Sequence, residues 1–241
     1  MSTQEERSSE EDARAYREIR ALIDKWKNLG HKTYPDGTEW IGHTPDRAPE
    51  SYLHQLYAPL GAIGIRQLEF EVSSRIPDNF CCFLTLHNGI SLFANFINVY
   101  GLRGSWSRTN LVEAGQQPFS ILVPNIRRRP SNAPDDVIFI GSLRKNRELI
   151  GMNPDGRVFH WASSDPLSGS IKSYSSVFTL LLEEANEVAA LFDPDGRRRD
   201  FSWLMNSGGM APLMFIHQAS YADRMHRLAN IVVPAAPLAE M

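Results

Sequence analysis

The chain has 241 residues, of which 42% are hydrophobic and 22% are charged, as in ordinary globular proteins. Its 25 basic and 28 acidic side chains give a net charge of -3, which excludes a broad basic field for nucleic acid. The two cysteines, Cys81 and Cys82, are adjacent and predict no disulfide framework. The sequence shows neither a signal peptide nor an apolar run of bilayer length, so we expect a soluble, cytoplasmic protein without membrane contact.

The first sixty residues predict a helix, a loop and a short second helix. Ser8, with Glu11 three positions later, has the spacing of a capping box and predicts the start of the first helix. Apolar residues recur at helical spacing from there to Gly30, which is a suitable residue for ending a helix. Prolines and glycines predict a loop at 31–49, and the apolar residues within 53–60 predict a short helix.

A pair of helices is predicted on either side of the sequence Ile-Pro-Asp-Asn-Phe at 76–80. Leu68 and Val72 indicate a helix that ends before the proline. The second helix begins at this proline, because a first helical turn does not need the missing N–H. An Asn-Gly pair at 88–89 follows the second helix and predicts its end, since both residue types tolerate the left-handed conformation.

The second half of the chain predicts mainly strands. Short β-branched and aromatic runs bounded by turn residues predict strands at 92–96, 97–100, 137–141, 148–152, 157–161 and 170–173. The Pro-Asp-Gly turn at 154–156 predicts a hairpin, and a final helix is predicted at 175–192. A Gly-, Pro- and Arg-rich insertion occupies 101–135, and the tail predicts a helix near 221–228. Runs of strands, instead of strict strand–helix alternation, favour the α+β class.

In their order and spacing these motifs resemble the SUKH superfamily, the Smi–Knr-like family of immunity proteins and cell-wall-assembly regulators. The residues that carry the resemblance are Ile76, Pro77, Phe80, Phe83, Asn88, Gly89, Gly141 and Gly156. The resemblance implies a SUKH-like core at 65–192 with a curved, mostly antiparallel sheet packed against helices. Residues 1–64 would form an N-terminal helical extension with a loop, and 193–241 a C-terminal extension.

Reactive chemistry is not indicated by the sequence. No phosphate-binding loop, H-E-x-x-H motif or C-x-x-C pair occurs, so we expect no metal, cofactor or catalytic residues. His31, His43 and His54 are the histidines that a fold could bring together around a metal. His87 lies on the apolar face of its predicted helix, which is typical of a buried histidine. Cys81 and Cys82 lie beside Phe80 and Phe83, which is typical of small buried side chains, and catalysis by either thiol with His87 is the less favoured alternative.

Two arginine triplets occupy predicted loops at 127–129 and 197–199. Each is able to bind phosphate or an acidic protein surface. Because the chain is net acidic and each triplet is short, solvated loops are the preferred interpretation. We therefore expect no direct contact with nucleic acid.

The resemblance implies binding of a protein partner, since many bacterial members neutralise a toxin, often a nuclease. The first hypothesis is therefore a non-enzymatic immunity protein that binds a cognate toxin domain. Acidic and aromatic residues in turns are the candidate partner-binding residues: Trp106, Asp135, Asp136, Asp155 and Asp165. A regulatory scaffold of the same superfamily and an enzyme with an unrecognised site are the alternatives, and the oligomeric state stays open.

Overall fold

The computed structural model describes residues 4–104, 115–144, 148–161 and 172–199. The chain divides into two units between Arg198 and Arg199, and the helices and strands of the described residues belong to the first unit. Within the described residues nine strands form one sheet in chain order, each antiparallel to its neighbours. They are β1 (His31–Thr33), β2 (Glu39–His43), β3 (Tyr52–Leu56), β4 (Ile90–Leu92), β5 (Ile97–Val99), β6 (Ile138–Leu143), β7 (Glu148–Met152), β8 (Val158–Trp161) and β9 (Ser173–Tyr174).

The helices of the described residues lie before, between and after the strands. They are α1 (Gln4–Ile23), α2 (Ala62–Val72), α3 (Asp78–Leu86) and α4 (Val177–Ala189). A 3-10 helix, Asp24–Leu29, follows α1 directly, and a single π-helical turn spans Val123–Arg127. The predicted α+β class, with an antiparallel sheet packed against helices, is confirmed.

The helix pair and the hairpin form where the sequence predicts them. α2 ends at Val72, and Pro77 is the N-cap of α3, with φ of -58°. β7 and β8 pair around the predicted turn, with Met152 opposite Val158. The Asn153 N–H closes this turn by donating to the carbonyl oxygen of Arg157 at 2.9 Å. Proline and Pro-Asp-Gly chemistry therefore decides these boundaries locally.

The prediction of a loop and a short helix over 31–60 is wrong, because this segment supplies three strands. β3 pairs with β2 on one side and with β4 on the other, where Gln55 lies opposite Ser91. Strands of three to five residues are too short to show a clear alternation, and their pairing partners are distant in sequence. Tertiary pairing therefore overrides the local pattern.

The start of one helix and the end of one strand also differ from the prediction. α1 begins at Gln4, so Ser8 lies inside the helix instead of at its N-cap. Residues 93–95 form a tight left-handed turn between β4 and β5, with φ of 52°, 52° and 69°, so the strand predicted at 92–96 ends at Leu92. The predicted helix at 221–228 lies outside the described residues.

The Asn-Gly pair after α3 has a different role for each residue. α3 ends at Leu86, and only Gly89 has a positive φ, of 92°. A Cβ on Gly89 would lie 2.6 Å from the carbonyl oxygen of Val99, so this position accepts only glycine without strain. Asn88 instead bonds the backbone of Leu102 twice, accepting at 2.8 Å and donating at 2.7 Å. The helix ends before the Asn-Gly pair as predicted, and Gly89 is the residue of the pair that adopts the left-handed conformation.

The main core lies between the helices and one face of the sheet. The Phe178 ring of α4 contacts the rings of Tyr16 on α1 and Phe83 on α3, at centroid distances of 6.0 and 5.7 Å. A smaller apolar cluster covers the opposite face and consists of Val137, Phe139, Phe159 and Trp161. The sheet is therefore apolar on both faces at its β6–β8 end.

The described parts of the predicted insertion at 101–135 are bonded to the sheet. Gly101 forms a parallel bridge with Ser120. The buried Asn125 side chain accepts from the N–H of Phe139 at 2.8 Å and donates to its carbonyl oxygen at 2.7 Å. One amide side chain thus takes the place of a strand residue beside β6.

Candidate protein-binding surface

The predicted partner-binding residues that are described lie at one end of the sheet. Asp135 and Asp136 precede β6 and are exposed, and Asp155 is exposed in the turn after β7. Because Ile138 at the start of β6 pairs with Met152 at the end of β7, the three aspartates share this end. Trp106 and Asp165 lie outside the described residues.

A surface groove runs from the α2–α3 connection to the β7–β8 turn. Its lining includes Arg75, Pro77 and Asp78 from the helix pair and Asp155 from the turn. Two of the motifs quoted for the family resemblance thus form opposite walls of one groove. The groove carries charged groups of both signs.

Asn79 holds the two walls of the groove together. Its Nδ2 donates to the carbonyl oxygen of Gly156 at 2.9 Å and, more weakly, to that of Ser175 at 3.5 Å. The Asp155 carboxylate accepts from the N–H of Arg157 at 3.1 Å, which fixes the turn itself. These bonds set the position of Asp155 relative to α3.

The charged groups at the groove are paired only at the surface. Arg75 lies 3.4 Å from Asp78, and Arg157 lies 3.4 Å from Asp155, with all four side chains more than half exposed. Exposed pairs of this kind contribute about 0–1 kcal/mol, so they exchange readily for contacts with a partner. Breaking these pairs costs little free energy, so the carboxylates of the groove are available to bind a partner.

Two large apolar side chains stand out from α2, the helix that leads into this groove. Ile63 is 76% exposed and Phe70 is 84% exposed, although Leu68 and Val72 on the same helix are buried. The two exposed residues are seven apart and therefore lie on one face of the helix. We call Ile63, Phe70 and the groove around Asp155 the α2 surface.

The sequence prediction missed Ile63 and Phe70. Both are apolar, so a sequence pattern alone does not distinguish them from the buried residues of the same helix. Their positions around the helix axis are the feature that could have identified them. Leu68 and Val72 define the buried face of α2, and residues 63 and 70 lie outside that face. Only the packing of α2 on its neighbours shows which apolar residues stay in solvent.

His54 and His87 are buried, and burial lowers the pKa of both. Desolvation, helped by the positive charge of Arg20, lowers the pKa of His54 to about 3 and that of His87 to about 4. The Tyr16 hydroxyl lies 2.8 Å from His87 Nε2. The His54 ring packs between Trp26 and Phe93. Both histidines are therefore neutral core residues near pH 7.

The other two histidines named for a metal site lie apart from His54. His31 Nε2 is 3.1 Å from a carboxylate oxygen of Glu39, and His43 Nε2 is 2.8 Å from the carbonyl oxygen of Pro49. Across the part of the chain that the structure describes, no three His, Cys, Asp or Glu side chains are grouped to hold a metal ion.

His160 of β8 belongs to a polar network between the sheet and α4. Its Nδ1 lies 3.4 Å from Glu148 and its Nε2 lies 3.4 Å from the buried Glu184 of α4. The Tyr174 hydroxyl donates to Glu184 at 3.4 Å. The network joins α4 to β7, β8 and β9, and we assign it a packing role.

The cysteine pair does not have the setting of a nucleophile. Burial, followed by the charges of Glu69 and Asp78, raises the pKa of Cys81. The Cys81 thiol contacts the carbonyl oxygen of Ile76 at 3.5 Å. A raised pKa disfavours the reactive thiolate. Cys82 is an exposed free thiol on the same helix, so the prediction of a buried side chain is wrong for Cys82, which lies on the solvent side of α3.

The remaining motif residues act in packing. Ile76, Phe80 and Phe83 are at most 1% exposed and belong to the main core. A Cβ on Gly141 would lie 2.3 Å from the carbonyl oxygen of Asn98 on the neighbouring strand. These positions support the α2 surface without forming part of it.

Two comparisons with known proteins found no match. No protein-family profile matches the chain, and no curated protein matches it. Among the described residues, none of the helices combines the length and the apolar character needed to cross a membrane.

Proposed function

We propose that the protein is a non-catalytic protein-binding module, and specifically an immunity protein that neutralises a cognate toxin. The observation that carries this proposal is the 84% exposure of Phe70 on the helix that leads into a charged groove. Large exposed aromatic side chains are frequent at the centres of protein interfaces. The sequence resemblance to the SUKH superfamily supports the same class.

The charges at this end of the sheet support a basic partner. Asp135, Asp136 and Asp155 are exposed there, and Asp78 lies in the same groove as Asp155. Carboxylates of this kind resemble nucleic-acid phosphates to a nuclease and speed its association by long-range attraction. The free cysteines Cys81 and Cys82 support a reducing, cytoplasmic location.

The test is genetic and then biochemical. Co-expression is expected to rescue cells from the toxin encoded by the neighbouring open reading frame, and the two purified proteins are expected to form a 1:1 complex. Failure of rescue with every neighbouring reading frame would contradict the immunity assignment. Copurification with several unrelated proteins would instead support a regulatory scaffold.

A single variant tests whether the α2 surface, and not another part of the molecule, binds the partner. Phe70→Ser is expected to abolish rescue while the protein still accumulates, because the ring contributes nothing to the core. Phe119→Ser removes a second exposed aromatic ring, one that is 43% exposed and outside the α2 surface, and is expected to preserve rescue. Equal loss in both variants would show that the partner binds elsewhere.

A further inference from the structure

Three arginines lie over two phenylalanine rings near the C-terminal end of β6. This is the end of the strand opposite to Asp135 and Asp136. The guanidinium carbons of Arg144 and Arg198 lie 5.8 and 5.6 Å from the centroid of the Phe96 ring. That of Arg47 lies 5.6 Å from the Phe192 centroid. The two rings pack edge to face at 5.8 Å, so all three cations share one aromatic base. We call these three arginines the arginine cluster.

The arginine cluster is assembled from separate parts of the chain. Arg47 lies in the β2–β3 loop, and Arg144 follows β6, where its N–H donates to the carbonyl oxygen of Phe96 at 2.8 Å. Arg198 lies beyond α4 and forms a bridge with Phe192. Backbone contacts therefore hold Arg144 beside Phe96, the ring that it covers, and Arg198 beside the neighbouring Phe192.

The positive charges of the arginine cluster are not neutralised within the described residues. No carboxylate there forms an ion pair with Arg47, Arg144 or Arg198, whereas the neighbouring Arg197 pairs with Asp46 at 2.8 Å. Burial, followed by repulsion from the other two cations, lowers the pKa of Arg47. Contact with an aromatic ring stabilises an exposed cation by about 0.5–1 kcal/mol. The rings therefore stabilise the three arginines without neutralising their charges.

We propose that the arginine cluster binds an acidic segment of a protein partner. Each guanidinium presents a planar set of donors that matches a carboxylate, and each lies 5.6 or 5.8 Å from a ring centroid. A segment with several carboxylates would relieve the repulsion among the three cations. The basic triplet at 197–199, which the sequence favours as a solvated loop, thus contributes Arg198 to a binding surface.

Nucleic acid fits this surface less well than an acidic peptide. Phe96 and Phe192 are 9% and 2% exposed, so neither ring is free to stack on a base. Asp46 and Asp195 line the groove that Arg47 also lines, so any anionic ligand has to be short enough to contact the guanidiniums without lying over these two carboxylates. A short run of carboxylates needs only the three guanidiniums.

The arginine cluster and the α2 surface are separate. Arg144 follows the end of β6, whereas Asp155 of the α2 surface follows Met152, which pairs with Ile138 at the start of β6. The six extended residues of β6 span about 20 Å. The proposal is therefore independent of the proposed toxin binding, and a negative result for one leaves the other unaffected.

The test measures binding of fluorescein-labelled deca-glutamate to the full chain by fluorescence anisotropy at about 0.1 M salt, where charges more than about 10 Å away are largely screened. The triple variant Arg47→Gln, Arg144→Gln, Arg198→Gln is expected to raise the Kd at least about tenfold, as three charge-assisted contacts are lost. The corresponding triple lysine variant keeps the charges without the planar donor set, and an intermediate rise of about threefold is expected.

The matched control is Arg66→Gln, Arg127→Gln, Arg128→Gln, which removes the same charge from exposed arginines elsewhere. Its Kd is expected to change less than about twofold, because distant exposed charges are screened. An equal loss in the control, no binding by the wild-type chain, or tighter binding of a ten-nucleotide single strand would each overturn the proposal. Circular dichroism checks folding, and Arg198→Gln alone provides the same comparison if the triple variant does not fold.

Discussion

Asn79 Nδ2 donates a 2.9 Å hydrogen bond to the carbonyl oxygen of Gly156, which joins the first turn of α3 to the β7–β8 turn. Gly156 has φ of 82°, and a Cβ there would lie 2.7 Å from the amide of Asn79. The glycine is thus required by the turn and also by the side chain packed against it. This contact closes the base of the groove in the α2 surface.

Gly156→Ala is therefore expected to lower the free energy of unfolding by about 1–3 kcal/mol, from left-handed strain and the clash with Asn79. Urea denaturation followed by circular dichroism measures the change. Gly61→Ala is the matched control, because a Cβ there meets nothing within 4 Å. If Gly156→Ala is as stable as the control, the Asn79 side chain does not constrain position 156.

Asn88→Ala is expected to cost about 2–3 kcal/mol, because it removes two hydrogen bonds to the Leu102 backbone and leaves those groups without their partner. Asn186→Ala, on the exposed side of α4, removes a single bond to Leu182 and is expected to cost less than about 1 kcal/mol. Similar losses in both variants, measured by chemical denaturation, would argue against a special role for Asn88.

Stability is expected to fall as the pH drops from 6.5 towards 4. The folded-state pKa of His87 is about 4 and that of His54 about 3, against an ordinary value of 6.5. In this window the unfolded chain binds protons that the folded chain excludes, so acid favours unfolding. His87 alone accounts for up to about 3 kcal/mol.

The variant His87→Gln removes one of these two titrations and is expected to make the dependence of the unfolding free energy on pH less steep, while His54 keeps its contribution. His43→Gln, which changes a less buried histidine, serves as the control and is expected to keep the wild-type slope. The measurement is a series of urea melts between about pH 4 and 7.5, a window that brackets the ordinary histidine pKa. An unchanged slope in His87→Gln would mean that the ring is protonated within the folded protein.

Phe70→Ser is expected to leave the free energy of unfolding within about 0.5 kcal/mol of wild type, because an 84% exposed ring buries little area. Binding to the cognate toxin is expected to weaken at least about tenfold in calorimetric titration, as for an aromatic residue at an interface centre. A large loss of stability would instead place Phe70 in the core of the fold.

Local chemistry determined part of this fold from the sequence alone. Pro77 fixes the start of α3 because it is the N-cap residue, where no N–H is needed for a helical hydrogen bond. The Pro-Asp-Gly turn fixes the β7–β8 hairpin because Gly156 supplies the left-handed residue. The α+β class followed from such local signals, since each is complete within a few residues.

Tertiary structure alone decided the rest. β1, β2 and β3 form because their partners lie across the sheet, which no local pattern contains. The exposure of Phe70 depends on which face of α2 meets the core, and the arginine cluster depends on a loop, a strand end and a chain segment beyond α4 meeting around two rings. Contacts between residues far apart in sequence are set by packing, and packing acts only once the chain is folded.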